Sequence, residues 1–130
     1  MGSSKGSEPV SGRVLVVEDE YILADDLKKE LEVHGAKVVG PIGNLGAAQD
    51  QVSRDGFDVA VIDVKPDNKL AWSIADELMQ QKIPFGFVTG YGADAIPERF
   101  QHIVRWEKPW DKSKLTGDVR LLCAASKTRH

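Results

Sequence analysis

An open α/β fold, a parallel sheet covered by helices on both faces, is predicted by three observations. Five short apolar runs rich in β-branched residues alternate with segments whose apolar residues recur at helical spacing. The first run stops abruptly at Glu18-Asp19-Glu20, as a buried strand does on leaving a core. Charge interrupts only the second and fifth runs, at Lys37 and Arg105, so those two are expected at the sheet edges and the other three inside.

The first strand is Val14-Leu15-Val16-Val17, ending at Glu18-Asp19-Glu20, and Leu23, Leu27 and Leu31 then mark an amphipathic helix that stops at His34-Gly35. A second strand runs from Ala36 to Val39 and breaks at Gly40-Pro41; Leu45, Ala48 and Val52 share one face of the helix that follows. The third strand, Phe57 to Ile62, ends at Asp63, and after a turn through Pro66-Asp67-Asn68 a helix covers about Leu70 to Gln81. Pro84 opens the fourth strand, Phe85-Gly86-Phe87-Val88-Thr89, which Gly90 and Gly92 close. Pro97 allows at most a short helix between Ala93 and His102. Ile103 to Trp106 is the fifth strand, and Leu115, Val119, Leu122 and Cys123 line the last helix. Right-handed crossovers join parallel strands in such an alternation, which makes the sheet doubly wound.

The 130 residues match one domain, able to bury roughly two thirds of its unfolded surface. Net charge −3 and a pI near 5.6 offer no general attraction to nucleic acid or anionic membrane, and no apolar run approaches a membrane-spanning length. A lone Cys123 excludes an intrachain disulfide and a cysteine zinc cluster, in keeping with a cytoplasmic location. Residues 1–12 read as a disordered, vector-derived leader, 13–125 as the domain and 126–130 as a polar tail.

Ligands of doubly wound sheets sit beyond the carboxyl ends of the strands. Those ends carry Glu18 and Asp19, Asp63, Thr89 and, just past strand five, Lys108. Crowded carboxylates repel unless a cation or protons compensate, and hard oxygen donors favour Mg2+. Magnesium commonly completes its shell with phosphate oxygens, while an ammonium and a hydroxyl can hold the others, so the set suits phosphoryl transfer to a carboxylate.

From Arg13 to about Ala125 the chain resembles the receiver domains of two-component response regulators. The motifs are Val16-Val17-Glu18-Asp19-Glu20, Val61-Ile62-Asp63-Val64, Val88-Thr89-Gly90 and Glu107-Lys108-Pro109. The resemblance implies a flavodoxin-like (βα)5 sheet of order 2-1-3-4-5. It makes Asp63 the phosphoacceptor, Glu18, Asp19, Asp63 and the Lys65 backbone carbonyl the Mg2+ site, Thr89 the switch hydroxyl and Lys108 the phosphoryl-binding cation. A cis Lys108-Pro109 bond is also implied. The implied partners are a sensor histidine kinase or histidine phosphotransferase and a downstream protein, with no nucleic acid or membrane, and a phosphorylation-dependent dimer is left open.

Pro84-Phe85-Gly86-Phe87-Val88-Thr89-Gly90-Tyr91 further resembles the FAT GUY group of single-domain receivers, departing by Val88 where that group has alanine. Arg105 stands where most receivers carry a switch aromatic, and the adjacent Trp106 is expected to face the other side of the sheet. The loop between Gly90 and Arg99 is then expected to carry the signal. Lys65 and Tyr91 would flank the path of hydrolytic water and lengthen the phosphoryl lifetime.

Each residue also has a plainer reading: Asp63 as a helix cap, Glu18 and Asp19 as solvated first-turn acids, Thr89 as a strand former, Lys108 as a surface cation. Their joint placement at strand ends outweighs these. His34, His102 and His130 lack paired metal spacing, Gly40 to Gly46 fits neither phosphate-loop fingerprint, and Trp72, Trp106 and Trp110 read as packing or partner surface. An aspartate-nucleophile phosphatase would need Asp-x-Asp after strand one, and a flavodoxin would need a hydroxyl-rich phosphate loop where this chain is acidic. A phosphorylation-independent binding module is the third alternative.

Overall fold

Each apolar run becomes a strand of a single sheet. The computed structural model describes residue 10 and residues 12–54, 56–64, 69–90, 94, 96–107 and 112–126. Its elements are β1 (Arg13–Val17), α1 (Tyr21–Val33), β2 (Lys37–Ile42), α2 (Leu45–Arg54), β3 (Val59–Val64), α3 (Lys69–Gln81), β4 (Phe85–Thr89), a 3-10 turn (Glu98–Phe100), β5 (Arg105–Glu107) and α4 (Lys112–Ser126). All pairings are parallel, in the order β2-β1-β3-β4-β5, so Lys37 and Arg105 do lie on edge strands.

Strand alternation splits the core into two layers. Leu15, Val17, Ala60, Ile62, Phe85 and Phe87 meet Val52, Ile74 and Leu78 of α2 and α3 on one face. On the other, Val14, Val16, Val59, Val61, Val88 and Trp106 meet Leu27 and Leu31 of α1 and Leu115 and Val119 of α4. Val10 joins this second layer, and its N–H donates to the His34 carbonyl at 2.7 Å.

The limits of β2 and β3 differ from the sequence expectation, and two further local features bear on the site. β2 does not break at Gly40-Pro41 but continues to Ile42, with a register shift against β1 between Leu15 and Val17; an edge position tolerates the missing proline N–H. The cis X-Pro bond among the described residues is Gly40-Pro41, whereas Lys108-Pro109 lies outside them. β3 starts at Val59 rather than Phe57, because Asp58 turns to clamp Arg13: the Arg13 N–H donates to Asp58 Oδ2 at 2.9 Å. Finally, the short helix that Pro97 permits between Ala93 and His102 is, among the described residues, the 3-10 turn Glu98–Phe100. Phe100 is buried there, stacked on Trp72 at 5.9 Å, and Arg99 lies over its ring while forking onto Asp76 of α3 at 3.0 and 2.9 Å. The Asp76 hydrogen bond raises the Arg99 pKa above its ordinary value.

Two helices end alike. After α1, Gly35 N–H donates to Glu32 O and Ala36 N–H to Leu31 O; after α3, Lys82 N–H donates to Met79 O and Ile83 N–H to Leu78 O. Both caps need a left-handed residue. Gly35 supplies it without strain at φ 99°, but Lys82 adopts φ 61° with a side chain attached. Lys82→Gly is therefore expected to raise the unfolding free energy by about 0.5–1 kcal/mol, net of glycine's extra chain entropy. An unchanged or lowered urea midpoint would contradict this.

Candidate functional site

The β1 ladder runs straight into the acidic segment. Val17 pairs with Ile62, so Glu18 and Asp63 stand at the same level of neighbouring strands, roughly 5 Å apart in the spacing of a sheet. Both are buried, at 4% and 3% exposure. Alternation puts both on the face of Val16 and Val61, toward α1 and α4. The Glu18 N–H donates to the Ile42 carbonyl at 3.0 Å, extending the β1–β2 pairing, and its Oε2 accepts the N–H of Glu20, the residue capping α1, at 2.8 Å. One oxygen of each carboxylate, Glu18 Oε1 and Asp63 Oδ1, is sealed from solvent and accepts no hydrogen bond, although both residues take part in other interactions.

Asp19 is exposed beside them. With Glu18 it borders a cleft of about 670 Å3 whose other walls include Asp25 and Lys28 of α1 and Pro41, Gly43 and Asn44 of the β2–α2 loop. Lys29 Nζ pairs with Asp25 at 3.0 Å, a contact that raises the Lys29 pKa. The loop approaches closely: a Cβ on Gly43 would lie 3.2 Å from Asp19 Cα. Asn44 then caps α2, its Oδ1 accepting the Ala47 N–H at 2.8 Å. The glycine-rich stretch that reads as a plain turn into α2 is thus also a wall of the acidic cleft; the run Gly43-Asn44 is its only cue in sequence. A second cleft, about 500 Å3, lies at the amino ends of β4 and β5 near Pro84, Phe85 and Ile103, and no carboxylate is among its described lining residues.

Thr89 ends β4 fully buried, opposite Val64 on one side and Glu107 on the other, while Asp63 pairs with Val88. Asp63 and Thr89 are therefore one register step apart on adjacent strands. Lys108 follows Glu107 directly in the chain; it, Lys65 and Tyr91 lie outside the described residues.

Buried carboxylates side by side need a neutralising cation or proton. Among the described residues no group of three or more His, Cys, Asp or Glu side chains is drawn together as a metal cage. Magnesium does not require one, because it keeps several waters and takes one or two carboxylates together with phosphate oxygens. Glu18 and Asp19, hard oxygen donors lining an open cleft, with Asp63 buried level with Glu18 on the neighbouring strand, fit that habit.

Around the site, Arg105 is half-buried on β5, opposite Phe87, with Nε 3.9 Å from Glu107. Trp106 does face the other layer, where it is buried at 3% exposure. Trp72 is partly buried against Phe87 and Phe100; Trp110 and His130 are outside the described residues. His34 caps α1 with Nδ1 3.0 Å from the Glu30 carbonyl, and His102 is exposed. No helix among the described residues is long and apolar enough to cross a membrane.

A parallel sheet of order 2-1-3-4-5 is the flavodoxin-like architecture that CheY-like receiver domains share, and acids at the ends of β1 and β3 are in keeping with a receiver. No protein-family model and no curated protein sequence matches the chain, but solved structures do. The BeF3-activated conformation of SdrG from Pseudomonas melonis Fr1 is 30% identical at TM-score 0.70, over 85% of this chain and 95% of that one. The chain belongs to the response regulator receiver family. The signal receiver domain of a modulated diguanylate cyclase from Desulfovibrio desulfuricans G20 superposes at TM-score 0.77 with 22% identity, over 92% of this chain and 98% of that one. The response regulator PhyR from Brucella abortus does so at 0.76 with 20% identity; 95% of this chain is covered, and it spans about half of PhyR, 52%. These two likenesses show the fold.

Proposed function

We propose that this chain is the phosphoacceptor of a bacterial, cytoplasmic two-component phosphorelay, with residues 13–125 as the working domain. The observation that carries the reading is the pair of buried carboxylates, Glu18 and Asp63, level on β1 and β3, with exposed Asp19 beside them and buried Thr89 at the next strand end.

An Asp63 carboxylate oxygen attacks the phosphorus of a phosphohistidine on a sensor kinase or phosphotransferase. The P–O bond forms as the P–N bond breaks, and the imidazole leaves with the electron pair and takes up a proton. Glu18, Asp19, Asp63 and the Lys65 carbonyl would hold Mg2+, which when bound would offset the negative charge gathering on the transferring group. The Thr89 hydroxyl donates to a phosphoryl oxygen, and the Lys108 ammonium balances the product. The phosphorylated state shifts a conformational equilibrium read by a downstream protein. The chain is thus a signalling switch that accelerates its own modification.

Incubation with acetyl phosphate and Mg2+ followed by intact-mass measurement tests this. The wild type gains the mass of one phosphoryl group, the gain disappears when EDTA replaces Mg2+, and Asp63→Asn gains none. Equal labelling of wild type and Asp63→Asn would overturn the assignment.

A further inference from the structure

β5 is the shortest of the described strands, three residues at a sheet edge, yet it leads directly into Lys108. A strand that short has few ladder hydrogen bonds to hold it, so something else must set its position. The side chain best placed to do so is Trp106, its middle residue.

Trp106 bridges three elements. Its indole lies against β4 at Gly86, where a Cβ would come within 2.5 Å of Cη2 and 2.7 Å of Cζ3; only glycine leaves room for the ring. The indole N–H donates to Asp118 Oδ2 of α4 at 3.0 Å, and the same oxygen receives Lys114 Nζ at 3.0 Å. Its backbone pairs with Val88, one step before the Thr89–Glu107 pair. The ring is buried among Val61, Val88, Leu115 and Val119, so a shift of β5 along or away from β4 would have to move it against close-packed atoms.

We infer that Trp106, seated on Gly86 and tethered by Asp118, is a positioning residue for phosphoryl transfer, fixing the carboxyl end of β5 beside Thr89, the strand end that separates it from Asp63. The inference rests on the phosphoacceptor reading above. It assigns the task to the sheet face opposite the one where Arg105 replaces a switch aromatic, and it accounts for glycine within the otherwise bulky run Pro84 to Thr89. On that reading the carboxylates of β1 and β3 would hold the metal without a ligand from β5, so loosening β5 would separate metal binding from chemistry.

The test compares wild type, Trp106→Phe, Gly86→Ala and Asp118→Ala for Mg2+ affinity by calorimetry and for the rate of Asp63 labelling by acetyl phosphate. Each variant is checked for folding by circular dichroism. The expected result is a labelling rate about tenfold or more below wild type in folded variants, with Mg2+ affinity within about twofold, because small displacements of transfer groups are costly. Trp106→Phe keeps an apolar ring and loses the tether; Asp118→Ala changes only a partly exposed helix position and covers the case in which the ring variants fail to fold. A wild-type labelling rate in folded Trp106→Phe or Asp118→Ala overturns the inference, as does a parallel loss of Mg2+ affinity. Wild-type protein that takes no phosphoryl group sinks the phosphoacceptor reading instead.

Discussion

Phe87→Ala will lower the free energy of unfolding by about 3–5 kcal/mol. Phe87 is fully buried in β4, between two other strands of the sheet. Its ring meets Trp72, Phe85 and Phe100 edge-on at 5.6, 5.5 and 5.7 Å, so one truncation strips a partner from each. Phe100 is also what holds the 3-10 turn to the sheet, since the Arg99–Asp76 fork is half exposed and screened by water, which makes it a weak second fastening. A domain of this size has about 5–15 kcal/mol in hand, so the variant loses a large share of it. Phe87→Leu, which keeps most of the volume, is expected to cost less than half as much. Urea unfolding of the three proteins checks the ranking, and a loss below about 1 kcal/mol for Phe87→Ala would mean that the ring cluster relaxes into the space.

Magnesium is expected to stabilise the fold, by about 2.7 kcal/mol at a hundredfold excess over its dissociation constant. The physical source is the pair Glu18 and Asp63, buried and level on adjacent strands, with exposed Asp19 beside them. Ions that bind this arrangement cannot find it in the unfolded chain, where these acids come from segments far apart in sequence. The melting temperature therefore rises with Mg2+ and falls back on chelation. Glu18→Gln combined with Asp19→Asn leaves too few anionic donors and should flatten the response. A wild-type melting temperature indifferent to Mg2+ would remove the metal from the site.

Particular residues show how far reading the chain could go. Val14 to Val17, Phe57 to Ile62 and Phe85 to Thr89 are recognisable as interior strands because burial on both faces demands near-continuous apolarity, and Lys37 and Arg105 mark the edges because charge can remain only where one side meets water. Glu18, Asp63 and Thr89 stood out because each ends such a run. Strand limits were less legible. Whether Phe57 and Asp58 pair or turn depends on Arg13, far away in sequence, and whether β2 passes Gly40-Pro41 depends on a register shift in its neighbour.

Composition and periodicity along the chain thus specified the sheet, its edges and the acids at its carboxyl end, since these follow from which residues avoid water and how often they recur. The seating of Trp106 on Gly86, the docking of Phe100 under Arg99 and the approach of Gly43 to Asp19 came from folding alone. Each is a contact whose closeness no local pattern encodes, and each depends on close packing, where a single carbon more or less changes what can touch.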